Sequence, residues 1–165
     1  MSKPTRVIVL AGGCFWGMEE LFRALPGVIN TETGYAGGKN DDPTYENHPG
    51  HAEVLRIEYD PEKTTYAELL DFFFRIHDPT TLNRQGNDEG TSYRSAIFYT
   101  TPVEKQIAEK FIDLVNRSGR WQNPVVTTLE PLKNFTPAEA YHQDYLQKNP
   151  SGYTCHYVRL PSYLS

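Results

Sequence analysis

Two cysteines stand in a chain of 165 residues, and one of them is placed for chemistry. Cys14 lies in "LAGGCFWGMEELF" (10–22), directly after Gly12-Gly13, where an apolar run gives way to a helical pattern. A thiol at a helix N-terminus faces unpaired N–H groups and the positive end of the helix dipole, and both favour thiolate. The glycines permit a sharp turn and leave room for a substrate beside the sulfur. The competing reading is a small buried hydrophobe, the common fate of a free cysteine. Position and glycine flanks favour the reactive thiol. Phe15 and Trp16 follow at once. Successive residues lie about 100° apart around a helix, so both rings do not fit the core stripe that begins at Met18. Beside a thiol they would wall an apolar pocket; the alternative is core packing.

A carboxylate is the second candidate. In "HAEVLRIEY" (51–59) the side chains of His51, Glu53, Leu55, Ile57 and Tyr59 share one face of a strand, which puts Glu53 on the more apolar face near the loop end. In water at the strand's mouth it would be an ordinary acid. Buried, it would stay protonated near neutrality, as a general acid must. The sequence leaves both readings open. "RQGNDEGTSYRS" holds Asp88, Tyr93 and Arg94 among turn residues, and Tyr45 lies in a glycine-rich loop. Asp in such a loop usually bonds local backbone, and Tyr45 is equally ambiguous. The histidines are His48, His51, His77, His142 and His156. With no C-x-x-C and no H-E-x-x-H, metal-ligand spacing is absent, and Cys155-His156 is only a weak ligand pair. No phosphate loop appears, since "GYAGGK" lacks the required spacing. Two rival readings follow from these residues. One is a cysteine hydrolase using Cys14 with His51 or His142 as base; the other is a binding module whose aromatic pocket holds apolar ligands.

The elements that must position these residues read in a clear order. "RVIVL" (6–10) is a buried strand, apolar on both faces. Met18, Leu21, Phe22 and Leu25 recur at helical spacing until Pro26-Gly27 stops the helix. "VINTETGY" is a second strand, 34–50 a loop rich in Gly, Pro, Asn and Asp, and 51–59 the third strand. Tyr66, Leu69, Leu70, Phe73 and Ile76 mark a second helix, and a long polar loop runs over 77–93. "SAIFYT" is a fourth strand; Val103, Ile107, Phe111, Leu114 and Val115 give an amphipathic third helix. "VVTTLE" is a fifth strand, "AEAYHQDYL" a short helix, and an irregular tail carries Cys155. The order β-α-β-β-α-β is the split βαβ pattern of ferredoxin-like folds. The expected class is therefore α/β (α+β): a two-layer sandwich with a mixed or antiparallel sheet, packed helices and long functional loops.

Length predicts one domain over 1–165, with a mobile C-terminal tail from about 149 to 165. Net charge −5 and the lack of a Lys/Arg-rich run argue against nucleic-acid binding as the main task. No segment approaches the roughly 20 apolar residues of a membrane span. "MSKPTRVIVLAGGC" has too short an apolar stretch for an export signal, so the expected location is cytoplasmic. Two cysteines do not make a disulfide scaffold; they are inert packing or redox chemistry. A monomer is the default.

Four motifs in order, "GCFWG" (13–17), "GYAGG" (34–38), "GHAEV" (50–54) and "RQGNDEGTSYRSAI" (84–97), resemble the A-type peptide methionine-S-sulfoxide reductases. The resemblance runs from about Val7 into the tail. It implies a ferredoxin-like α/β fold, Cys14 as nucleophile, and Phe15 and Trp16 holding the substrate's methyl group. It implies Glu53 as the acid that protonates the sulfoxide oxygen, and Tyr45 and Tyr93 as hydroxyls around that oxygen. Asp88 matches a residue that helps hold the substrate's main-chain amide. The implied activity reduces methionine-S-sulfoxide, free or in proteins, and so repairs oxidative damage. Cys14 sulfenic acid would condense with Cys155, and thioredoxin would reduce the disulfide. No cofactor and no metal are implied. "YENHPGHAE" is shorter than the matching loop of many members and lacks their additional cysteine, and the tail "GYTCHYV" has one cysteine where others have two. A two-cysteine cycle remains. Its rival is a permanent disulfide, worth roughly 4–5 kcal/mol on a chain-entropy estimate because it would close almost the whole chain.

Overall fold

The structure, a computed structural model, describes residues 4–164. Positions 1–3 and 165, which belong to the single-domain and tail expectations, lie outside the described residues. In chain order the elements are β1 (Arg6–Gly12), α1 (Phe15–Phe22), β2 (Val28–Ala36), β3 (Ala52–Tyr59), α2 (Tyr66–Ile76), β4 (Arg84–Gln85), β5 (Asp88–Glu89), β6 (Ser95–Tyr99), α3 (Pro102–Arg117), β7 (Thr128–Pro131), β8 (Phe135–Pro137) and α4 (Tyr145–Lys148).

The central strands run β6-β1-β3-β2, each pair antiparallel, which is the order a split βαβ unit produces. β7 adds to β6 in parallel and β8 adds to β2, making a mixed six-stranded sheet. The ferredoxin-like expectation holds. β1 is apolar on both faces because both are covered. Ile8 and Leu10 join Met18, Phe22 and Phe73 under the helices, while Val9 and Ala11 join Val54 and Phe98 on the opposite face. Apart from Ala11, each such side chain contributes about 1.5–3 kcal/mol on burial. α2 and α3 begin where Thr65 and Thr101 accept the N–H of Glu68 and Glu104, the N-cap pattern for Thr followed three residues later by Glu.

Several segments differ from the sequence reading. Val103 is exposed at the start of α3 rather than part of its buried stripe. The fifth strand starts at Thr128, because Val125 and Val126 donate instead to Asn116 Oδ1 and Pro79 O. The polar loop over 77–93 contains the β4–β5 hairpin and a 3₁₀ turn at Thr91–Tyr93. The expected helix "AEAYHQDYL" is broken into a 3₁₀ turn (Ala140–His142) and α4. The break has a tertiary cause. Gln143 exchanges side-chain hydrogen bonds with the backbone N–H and C=O of Thr33, and Asp144, at φ 54°, donates its N–H to Glu19 Oε1.

Beyond α4 the tail has no regular structure but is tied down. Arg159 donates to the carbonyl of Ile76 and its N–H to that of Arg75, satisfying the C-terminal end of α2. Tyr163 is buried, with its N–H on Asp71 Oδ1. Among the described residues no helix is long and apolar enough to cross a membrane.

Candidate active site

The site is built on the turn from β1 into α1. Gly13 has φ +97°, a left-handed conformation suited to glycine, and a Cβ there would meet Gln85 Cβ at 2.7 Å. This turn delivers Cys14 to the N-cap of α1, where it is 6% exposed. The first free N–H groups of the helix are spent on the site. Phe15 N–H donates to Glu53 Oε1 at 3.2 Å, and Trp16 N–H points at the Cys14 sulfur.

Glu53, on β3 opposite Tyr35, is 2% exposed, which settles the choice the sequence left open. Burial pushes its carboxyl up to about 8, against the Phe15 N–H and with help from Asp88. The acid is therefore protonated at neutral pH. The thiolate expected from the helix end is not the resting state of Cys14. Burial first, then Glu53, pushes its thiol up, with only the Trp16 N–H among the main causes pulling it down. A helix end is worth about 0.3–1 kcal/mol to an anion, whereas stripping an ion of water costs several. Burial wins, and the resting pair is thiol and carboxylic acid.

Aromatic rings close around this pair. Phe15 is buried, its ring centroid 5.8 Å from Tyr35 and 5.1 Å from His142. Trp16 stacks on Tyr145 at 3.8 Å and donates Nε1–H to His142 Nδ1 at 2.9 Å. Tyr45 has its ring 4.6 Å from His142, its N–H on Glu139 Oε2 and its hydroxyl hydrogen-bonded to Tyr93. Burial raises both phenols, and both sense Glu53 and Cys14, so they stay protonated donors around the same point. Asp88, half-buried on β5, is pushed up by burial and opposed by a hydrogen bond to Tyr153. Cys155 completes the set. Its sulfur lies 3.9 Å from Gln85 O, and a side chain on Gly86 would meet its Cβ at 3.2 Å. Both thiols are free in this structure.

Cys14, Glu53, Tyr45, Tyr93, Asp88, Phe15, Trp16 and Cys155 thus converge on one end of the sheet. Sequence reasoning passed over what supports them. Glu139 holds Tyr35 and Tyr45 together through its two oxygens. His142 appeared only as a hydrolase base, yet its Nδ1 is taken by Trp16, and its Nε2 is buried without a hydrogen-bond partner among the described residues. His51 has both ring nitrogens engaged, by Gly38 N–H and Asn40 O. Neither histidine is free to deprotonate Cys14, and the hydrolase reading fails. Among the described residues no group of three or more His, Cys, Asp or Glu could hold a metal ion. A cavity of about 450 Å³ between α2 and the tail, lined by Lys63, Phe72 and Arg75, includes none of these site residues.

Known proteins share this arrangement of fold and sequence. The profile of the peptide methionine sulfoxide reductase family matches residues 6–163. Peptide methionine sulfoxide reductase MsrA of Nocardia farcinica is 60% identical over 155 residues, covering 94% of this chain and 91% of that protein. Mxr1 from Saccharomyces cerevisiae in reduced form superposes with TM-score 0.87 at 41% identity, covering 97% of this chain and 96% of that one. Mxr1 in complex with Trx2 superposes with TM-score 0.63 at 32% identity, over 97% and 95% of the two chains. A match that spans the β1–α1 turn, both long loops and the tail leaves one assignment: the chain belongs to the peptide methionine sulfoxide reductase family.

Proposed function

We propose that the chain reduces methionine-S-sulfoxide, free or in proteins, through a Cys14 sulfenic acid and a Cys14–Cys155 disulfide that a thioredoxin reopens. The observation that carries this reading is Glu53: buried, bonded to one helix N–H and protonated at neutral pH beside a thiol. A sulfoxide sulfur is weakly electrophilic, and expulsion of bare oxide is prohibitive. As Cys14 attacks, Glu53 gives its proton to the oxygen and recovers the thiol proton, so neither group needs to be charged at rest. The Tyr45 and Tyr93 hydroxyls support the oxygen, and the methyl group lies against Phe15 and Trp16. Asp88 holds the substrate's main-chain amide. Oxygen ends on Cys14, methionine leaves, and condensation with Cys155 expels water.

The family profile spans residues 6–163, which supports a single catalytic domain over 1–165, proposed to act as a monomer. The tail from about residue 149 would move to bring Cys155 to Cys14. The Trx2 complex of Mxr1 supports a thioredoxin as reductant. A thiol cycle reset by such a donor belongs in a reducing compartment, which supports the cytoplasm. The test is a single turnover of the reduced protein, without reductant, on each sulfoxide epimer. One methionine per chain from the S epimer, with loss of both thiols, is expected. Comparable yields from both epimers, or none from S, would sink the reading.

A further inference from the structure

The tail residue after Cys155 is buried and has no part in the steps above. His156 is 6% exposed, with its ring wedged against α1. A Cβ on Gly17 would run into His156 Nδ1 and Thr154 Oγ1, so the tail seats only because glycine stands there. Nε2 lies 2.6 Å from the carbonyl oxygen of Gly12, which can only accept. Nε2 therefore carries the ring hydrogen, and Nδ1 of the neutral ring presents a lone pair. That lone pair stands 4.0 Å from Cys155 Sγ. Gln85 O also lies near the thiol, at 3.9 Å, but is a carbonyl that does not keep a proton.

We infer that His156 serves the second half of the cycle: it seats Cys155 over the Gln85–Gly86 turn and takes the Cys155 thiol proton as that sulfur attacks the Cys14 sulfenic acid. The Cys155 S–H bond breaks, and its electron pair forms the S–S bond. The S–O bond of the sulfenic acid breaks with its pair on oxygen, and the proton passes from Nδ1 to that oxygen to leave as water. Cys14 sulfur is reduced from sulfenic acid and Cys155 is oxidised, both to the shared disulfide.

The charged and titratable surroundings fit a brief stop for the proton. Arg159 on the tail and His77 after α2 face the imidazole, and burial first holds its value at about 4. Asp88 from β5 and Tyr153 from the tail face the sulfur, with Tyr153 donating to it. Arg159 also faces that sulfur and pulls its thiol down, and Cys14 senses Cys155 from the other side. Burial raises the Cys155 thiol, so attack without a nearby base would wait on rare ionisation.

The proposal rests on the two-cysteine reading, and the test separates the two. His156→Gln keeps an amide donor where Nε2 lies, hence the anchor on Gly12, but has no acceptor at Nδ1. In single turnover, methionine release should stay within about twofold of wild type. Decay of the Cys14 sulfenic acid, trapped at intervals with dimedone and read by mass spectrometry, should slow at least tenfold, on the order of general-base effects. It should also rise about tenfold per pH unit between roughly pH 6 and 8, as an unassisted thiol must ionise. Wild type, neutral at His156 throughout, should be flat over that range, a result that needs no variant. Wild-type decay that climbs with pH overturns the proposal, as does a His156→Gln protein that resolves at the wild-type rate or slows with a flat profile. Methionine release from wild type without any disulfide would instead overturn the two-cysteine reading beneath it.

Discussion

Glu19 and Glu53 are both sunk against α1, one in the middle of the helix and the other at its mouth, and the protein treats them in opposite ways. Glu19 is fully buried and fully engaged. Asp144 N–H reaches Oε1 at 2.7 Å, the Thr31 hydroxyl reaches Oε2 at 2.9 Å, and Arg23 stands 3.6 Å away. Glu53 is as dry, yet among the described residues its hydrogen bond is to Phe15 N–H, with no cation paired to it. Burial raises both acids, so a shifted pKa does not tell them apart. What separates them is hydrogen-bonding capacity left unspent beside a nucleophile. Glu19 closes a structural joint between α1, β2 and the segment before α4. Glu53 keeps a proton and an open oxygen where a sulfoxide would present its own.

That contrast breaks most visibly at Glu53. Glu53→Gln should lower kcat/KM for methionine-S-sulfoxide by about 10²–10⁴-fold, the range of general acid catalysis, with the melting transition retained. Because the active form is the protonated one, wild-type activity should fall as pH rises through about 8. The residual activity of the variant should lack that limb. Steady-state rates on folded protein from pH 6 to 9, a window roughly centred on that value, decide the matter. A variant within tenfold of wild type removes Glu53 from the chemistry.

A smaller effect is expected at Glu19, on stability rather than rate. Glu19→Gln leaves one of its partners facing a donor instead of an acceptor and weakens the Arg23 contact. The cost should be about 1–3 kcal/mol in urea unfolding, while activity per folded molecule stays within about twofold. A variant as stable as wild type would show that the joint is not held by this carboxylate. A folded variant that loses turnover would erase the distinction between the two acids.

Much of this architecture was legible because its signals are local. β1 carries a continuous apolar run, and α2 and α3 carry apolar residues at helical spacing. β8 and the β4–β5 hairpin were not legible, because strands of two or three residues hold no period. β8 exists only through pairings such as Gly34 with Pro137. In the site, the Gly12-Gly13 flank marked Cys14, and face alternation put Glu53 on the apolar side of β3. Its depth depends on what β2 and α1 lay over it, which no local pattern records. Tyr45, Tyr93 and Asp88 stood out only through the family resemblance. His142 and His156 act through partners 126 and 144 positions away, Trp16 and Gly12, and their roles come from the fold alone.

The central claim is that a neutral carboxylic acid waits beside Cys14 at physiological pH. The direct measurement is infrared difference spectroscopy of the reduced protein against Glu53→Gln across the pH range, following the protonated carboxyl stretch of that one side chain. A band that persists at neutrality and disappears with a midpoint near 8 is predicted. A midpoint near the ordinary glutamate value of 4.5 would contradict it, because the group beside Cys14 would then be an anion with no proton to give.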